Sequence, residues 1–228
     1  ITEPDSLQAA TTSTLSNCNV CDGTASVVPT GGTLPYVISW SLNGGAVGAD
    51  STVTGLCAGL YLVQVTDAHG CVVELPVPVT DAGAEQLATT NFMLDCPADC
   101  DGMVDVSFNC SVPACTIQWF DATGTDLNVP GPTLANLCAG LYFVQVSNGA
   151  GCTAIDTARV LAPEPILANL GTTAVTCADA CDGTAIVAPT GGTGGYTYVW
   201  TEGADTLSTG TQVSGLCAGT YSVEITDQ

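Results

Sequence analysis

Cysteine is the residue in this chain best placed to do chemistry: there are thirteen in 228 residues. Taken alone, Cys18-x-x-Cys21 has the spacing of half a zinc site or of a redox pair. The corresponding pairs, Cys96 with Cys100 and Cys177 with Cys181, carry a longer gap, and neither chemistry tolerates that drift. The remaining cysteines of each set are two single residues 14 apart, Cys57 and Cys71, then Cys138 and Cys152. His69, the only histidine, is not repeated. The pattern therefore reads as structural disulfides formed in an oxidising compartment.

Other candidate chemistry is sparser. Asp22, Asp101 and Asp182 each stand between a cysteine and a glycine and are candidate ligands for calcium, a hard cation that takes several oxygens. The bland alternative is that an Asp before Gly caps a turn, and no EF-hand or nonapeptide pattern accompanies them. No other metal and no cofactor is expected. Trp40, Trp119 and Trp200 could stack on sugars, but a fixed position in every repeat reads as core. No histidine lies beside a repeated Ser or Cys, no carboxylate pair stands outside the turns, and no Gly-rich phosphate loop opens a helix, so the chain does not read as an enzyme.

Charge removes two classes of partner. Arg159 is the only basic residue against 22 acidic ones, a formal charge of -21. Nucleic acid is excluded because neutralising phosphate takes Lys and Arg, and anionic membrane surfaces are excluded by the same physics. Disorder, the other reading of an acidic chain, is opposed by 46% apolar content and an abundance of Val, Thr, Ile and Tyr. No run reaches the roughly 18 to 20 apolar residues that cross a bilayer, and no signal peptide opens the chain, so a mature or internal segment of an exported protein is expected.

The elements that hold these residues repeat. Cys-Asp-Gly recurs at Cys21, Cys100 and Cys181, about 80 residues apart, with a tryptophan 19 positions after each cysteine. Leu-Cys-Ala-Gly-x-Tyr follows at Leu56, Leu137 and Leu216, and Gly-Cys closes two repeats at Gly70-Cys71 and Gly151-Cys152. Three units follow: 1–80, 81–163 and 164–228, the third lacking its last strand, which lies beyond the chain or is donated by a neighbour. Alternation such as Tyr36, Ile38, Trp40 against Val37, Ser39 has the period of strands. Turns such as Pro29-Thr30-Gly31-Gly32 and Asp67-Ala68-His69-Gly70 punctuate them. About seven short strands per unit predict all-β, tandem immunoglobulin-like sandwiches, each with its tryptophan between the sheets and its tyrosine placed like a tyrosine corner. Short linkers with Pro76, Pro78, Pro163 and Pro165 predict modules stacked end to end with restricted bending.

Four cysteines allow three pairings. Cys18 ends the first strand and Cys71 begins the last, and such strands neighbour each other in these sandwiches. Cys21 opens the second strand and Cys57 precedes the penultimate one. The expected bonds are therefore Cys18–Cys71, Cys21–Cys57, Cys96–Cys152, Cys100–Cys138 and Cys181–Cys217, with Cys177 paired beyond the chain. Cys110 and Cys115 replace Gly31 and Tyr36 in alignment and are expected to pair across a hairpin. The longer loops each contribute about 4 kcal/mol in the chain-entropy model.

Cys-Asp-Gly, Pro29-Thr-Gly-Gly-Thr-x-Pro-Tyr36, Trp40, Leu-x-Ala-Gly-x-Tyr and Val65-Thr-Asp-Ala-His-Gly-Cys71 together resemble the SprB repeat family of Bacteroidota surface proteins. The likeness runs along the whole chain three times, the second repeat having lost Gly-Gly and Pro-Tyr. The Leu-Cys-Ala-Gly cysteine goes beyond the commonest version of the repeat. The resemblance implies long filaments on the cell surface of a Gram-negative bacterium, adhesins of gliding motility and attachment exported by type IX secretion. It also implies self-association into a fibre or longer array, with an external surface, glycan or protein at a distal tip. O-glycosylation in that phylum, at Asp followed by Ser or Thr and a small apolar residue or Thr, makes Ser6, Ser51, Thr157 and Thr206 candidate acceptors. A second function class is a binding module that presents the variable loops 41–55, 120–136 and 201–215 to glycan or protein. A steady framework under varying loops favours the scaffold.

Overall fold

A computed structural model describes residues 5–110, 112 and 114–227. Two compact units are present: Ile1–Phe92 with Cys100–Leu161, which holds the first two repeats, and Met93–Asp99 with Ala162–Gln228. The described residues are all strand, turn and loop, as the alternation predicts.

In the first repeat, Gln8–Ser13, Gly23–Thr30 and Thr52–Leu56 form one antiparallel sheet with Gly23–Thr30 central. The second sheet runs Gly45–Gly48, Val37–Leu42, Gly59–Thr66, Val72–Val79. Chain order crosses between the sheets three times, the Greek-key arrangement of an immunoglobulin-like sandwich with seven principal strands. The three-stranded sheet recurs around Gly102–Phe108 in the second repeat and around Gly183–Val187 in the third. The other sheet runs Thr116–Asp121, Gly140–Ser147, Thr153–Leu161, Phe92–Met93 in the second repeat and Asp205–Ser208, Thr197–Glu202, Ser222–Thr226 in the third. Pro76 and Pro78, expected in a linker, instead lie in Val72–Val79, opposite Leu62 and Leu60. That strand is the sheet edge, where a missing N–H costs least.

Alternate residues of the central strands turn inward. Ala25, Val27, Tyr61, Val63 and Val65 pack with Trp40 in the first core, and Ala185, Val187, Val213 and Leu216 with Trp200 in the third. Each tryptophan lies across from a valine of the neighbouring strand: Trp40 from Val63, Trp119 from Val144, Trp200 from Val223. Its indole N–H donates to a loop carbonyl, that of Asp50, Gly131 or Gly210, at 2.9 to 3.0 Å. The buried ring thus keeps no unpaired donor.

A bulge fixes each Leu-Cys corner. Gly23 lies opposite Leu56 while Thr24 lies opposite Thr54, so Gly55 is the extra residue, at φ 72°. Asn136 at 57° and Gly215 at 76° do the same in the other repeats, residue types that tolerate the left-handed region. The chain then turns so that the tyrosine hydroxyl donates back to the carbonyl of the cysteine four positions before it: Tyr61 to Cys57, Tyr142 to Cys138 and Tyr221 to Cys217, at 2.9, 3.0 and 3.1 Å. Tyr61→Phe removes this hydrogen bond from the buried tyrosine, and a loss of about 1 kcal/mol is expected by calorimetry or denaturant titration of the chain.

Candidate functional site: the junction between the first two repeats

Five disulfides are formed. Three have one form: Cys21–Cys57, Cys100–Cys138 and Cys181–Cys217, each with Cα atoms 3.9 Å apart. Each joins the start of the Cys-Asp-Gly strand to the Leu-Cys corner that the bulge presents. Cys110–Cys115 closes the loop before the second tryptophan strand, its Cα atoms 6.1 Å apart. In the first and third repeats, Tyr36 and Tyr196 at the position of Cys115 donate their hydroxyls to the carbonyls of Gly31 and Gly191, at the position of Cys110. The second repeat thus closes the same loop covalently. Gly31 and Gly191 cannot carry a side chain, because a Cβ would stand 2.1 Å from the Ser6 carbonyl and 2.2 Å from that of Pro165.

The fifth bond corrects the expected scheme. Cys18 is joined to Cys152 of the next repeat, across 134 positions, and Cys71 and Cys96 are free thiols. Neither Cys18–Cys71 nor Cys96–Cys152 forms. Strand polarity is the reason. The chain leaving Gln8–Ser13 runs beside the far end of Val72–Val79: the Ser13 hydroxyl donates to the Pro78 carbonyl and the Ser16 N–H to that of Thr80. Ser16–Asn17 then pairs in parallel with Asp81–Ala82. Cys71 precedes that strand, so its eight residues, about 25 Å at 3.3 Å each, separate it from Cys18. A disulfide needs Cα atoms within about 7 Å. First and last strands are neighbours, as expected, but the two cysteines lie at opposite poles.

What Cys18 does reach is the turn 148–152 of the second repeat. Asn19, at φ 58°, donates from its side-chain amide to the Ala150 carbonyl at 2.8 Å. The buried Asp81 carboxylate accepts the Thr153 N–H at 2.9 Å, and the Thr80 hydroxyl accepts that of Ile155 at 3.3 Å. Leu60 packs with Phe120 and Phe143, flanked by Leu141 and Ile155. These aromatic residues project from the outward face of the second repeat's sheet, so this junction is an overlap rather than the simple end-on stack expected. The side chains that build it were not visible as a site in sequence; the one available signal was the outward-facing Phe at positions 120 and 143, where the first repeat has Ser41 and Leu62.

The candidate calcium ligands are turn caps where their bonds are resolved. Asp22 accepts the Asn17 N–H at 2.7 Å and its side-chain amide at 2.6 Å, and Asp182 accepts the Thr176 N–H at 3.0 Å and hydroxyl at 2.6 Å. Those donors hold both carboxyls below the usual range. Asp101 is exposed, and among the described residues no group of three or more His, Cys, Asp or Glu converges to hold a metal. Ser6, Ser51 and Thr206 are exposed. Thr157 is half-buried within Thr153–Leu161, its carbonyl accepting the Thr89 hydroxyl.

The turn that receives Cys18 has a counterpart in the first repeat. In the first, the Asp67 carboxylate accepts the N–H groups of Cys71, His69 and Thr33 at 2.8 to 2.9 Å. Burial acts to raise this carboxyl, but the N–H donors of Cys71, Thr33 and His69 outweigh it and hold it low. In the second, the neutral Asn148 amide oxygen takes the N–H groups of Ala150 and Cys152 instead.

The Met93–Asp99 segment, second-repeat by sequence, packs with the third. Residues 171–205 match the family model of the SprB repeat. The match spans Cys177, Cys181, the Gly191-Gly192 loop and Trp200, so the third repeat is similar to an SprB repeat over these positions. No curated protein matches the chain. Among solved structures, titin domains I67–I69 are 12% identical over 100% of this chain and 95% of that one, with a TM-score of 0.31. The insect immune protein hemolin is 16% identical over 98% and 68%, with a TM-score of 0.33. Sidekick-1 immunoglobulin domains 1–5 are 13% identical over 99% of this chain, which spans only 57% of theirs, with a TM-score of 0.31. The fold assignment rests on the strand order above. No helix among the described residues is long and apolar enough to cross a membrane.

The two turn chemistries separate with acid. A carboxyl whose folded value is lowered stabilises the fold above its unfolded value of about 3.9 and loses that contribution as pH falls through the lower folded value. Below about pH 4, residues 67–71 should lose hydrogen-exchange protection, corrected for intrinsic rates, while 148–152 keep theirs. Asp67→Asn should abolish the difference; equal acid sensitivity of both turns would refute the assignment.

Proposed function

We propose that this chain, whose third repeat is similar to an SprB repeat, is a structural segment of a long extracellular filament or adhesin stalk, serving surface attachment or gliding on a Gram-negative bacterium. Its coarser identity, an extracellular repeat protein of tandem immunoglobulin-like modules tied by disulfides, is the premise. The observation that carries the reading is Cys18–Cys152, a covalent bond between consecutive repeats. A tethered string of independent binding modules gains nothing from locking neighbours together; a load-bearing rod does. In the chain-entropy model a loop of 134 positions contributes about 5 kcal/mol, the size of a small domain's whole net stability.

Several features support the same role. The charge of -21 opposes side-by-side clumping of secreted polymer while leaving the ends to associate. Catalysis has no part in this reading, and neither does a cofactor. Self-association into an array and contact with a surface, glycan or protein at a distal tip are its partners, and type IX secretion is its export route. Ser6, Ser51 and Thr206 are the favoured glycan acceptors because their hydroxyls stand at the exposed surface.

Electron microscopy of the native array should show uniform rods with a regular axial step; beads scattered on a flexible thread would overturn the filament reading. Stretching single molecules of this chain offers a second measurement. With disulfides intact, the 134 positions between Cys18 and Cys152 and the 36 between Cys181 and Cys217 are withheld from extension, and a reductant should release about 450 Å and about 120 Å of contour length from them at roughly 3.4 Å per residue.

A further inference from the structure

The three free thiols are not scattered. Cys71 holds in the first repeat the place that Cys152 holds in the second, four positions after the residue that caps the turn, Asp67 or Asn148. Cys96 and Cys177 hold in their repeats the place that Cys18 holds in the first. Both places are known here as the two ends of one bond, Cys18–Cys152.

The second unit also joins the opening cysteine of one repeat to the body of the next. Met93–Asp99, which carries Cys96, packs with the third repeat. Desolvation and the neighbouring Asp99 raise the Cys96 thiol's pKa, and the carboxylates of Asp227 and Asp95 act in the same direction. Asp227 is the third repeat's counterpart of Asp67: its carboxylate accepts the Thr193 N–H at 2.7 Å, as that of Asp67 accepts the Thr33 N–H at 2.9 Å. Cys96 therefore belongs to the same compact unit as the turn on which the third repeat's last cysteine would sit.

We propose that Cys71, Cys96 and Cys177 are open ends of a ladder in which the first cysteine of each repeat bonds to the last cysteine of the repeat after it. Cys96 takes a cysteine four positions beyond Asp227, Cys177 takes the last cysteine of a following repeat, and Cys71 takes the first cysteine of a preceding one. This replaces the expectation that Cys177 bonds within its own repeat. Each bond forms when the two thiols lose their protons and pass two electrons to a disulfide-carrying oxidoreductase or a small-molecule disulfide, which leaves as two thiols. The partner is a repeat of the same kind, in the same polypeptide or in a second copy.

Alkylation without prior reduction, followed by proteolysis and mass spectrometry, tests the scheme. In this chain Cys18 should be linked to Cys152, with three cysteines alkylated: Cys71, Cys96 and Cys177. Cys18 linked to Cys71 would overturn the ladder at its template. The deciding variant replaces Gln228 with the chain's own residues 68–80, which supply the turn cysteine and closing strand of the third repeat. Cys96 should then link to the added cysteine, and the alkylated thiols should fall from three to two. A link from the added cysteine to Cys177, or an added cysteine left free, overturns the proposal. On non-reducing electrophoresis of the variant a monomeric band assigns the Cys96 bond to one polypeptide, and a ladder lost in Cys96→Ser assigns it to neighbouring copies; either supports the scheme. The bond pattern depends on thiol mapping and the filament role on microscopy, so each can fail alone.

Discussion

The bond between Cys18 and Cys152 forms because a sandwich has two poles and the chain carries its cysteines to both. Near the pole from which the chain leaves the first repeat lie Cys18, the Cys21–Cys57 staple and the buried Ser16 and Asp81. At the pole where the chain enters lie the turn that ends in Cys71 and the Gly31-Gly32 loop, whose Gly32 N–H donates to the Asp5 carbonyl. The first two repeats bring a leaving pole against an entering one. Strand length keeps the two cysteines of one repeat apart, and the linker's hydrogen bonds to Thr153 and Ile155 bring the cysteines of different repeats together.

The second repeat shows how much chemical substitution this frame accepts. Its loop clamp is a disulfide where the others use a tyrosine hydroxyl on a glycine carbonyl. Its bulge residue is Asn136 where the others have glycine, and its turn cap is Asn148 where the others have aspartate. Each replacement keeps one requirement of the backbone: a closed loop, a left-handed residue, or an acceptor for turn N–H groups. Cys110–Cys115 closes a loop of only six residues and contributes about 2 kcal/mol in the chain-entropy model, more than the roughly 1 kcal/mol of the hydrogen bond it replaces.

Much of the sandwich was legible in the residues. A tryptophan 19 positions after each Cys-Asp-Gly, strand-period alternation and the Leu-Cys-Ala-Gly-x-Tyr corner point to a buried ring, two sheets and a tyrosine turned back on the cysteine carbonyl. The local staples were legible for the same reason, since Cys21 and Cys57 open and close one corner. Cys18–Cys152 was not. Periodicity says which strands are neighbours but not how far along them two residues lie, and eight residues of strand separate the right partner from the wrong one. Nor could it tell that Pro76 and Pro78 occupy an edge strand, because an edge proline and a linker proline look alike until the sheet order is known.

A ladder of first-to-last bonds would change how force travels. The loop closed by Cys18–Cys152 contains both Cys71 and Cys96, so a bond from Cys96 into the third repeat closes a loop that overlaps the first. Tension entering at Cys18 crosses the sulfur bridge to Cys152 and needs only the 25 positions to Cys177 before meeting the next bridge. A second route runs in parallel over the 25 positions from Cys71 to Cys96. Each peptide stretch under load consists of one closing strand, one linker and one opening strand, and the strands that hold Trp40, Trp119 and Trp200 lie off both routes. Repulsion among unpaired carboxylates, which in an untied acidic chain favours expansion, then works against covalent loops instead of against a core of modest size. In such a ladder the hydrophobic cores would need only to fix the geometry of the junctions, and the sulfur bridges would carry the tension.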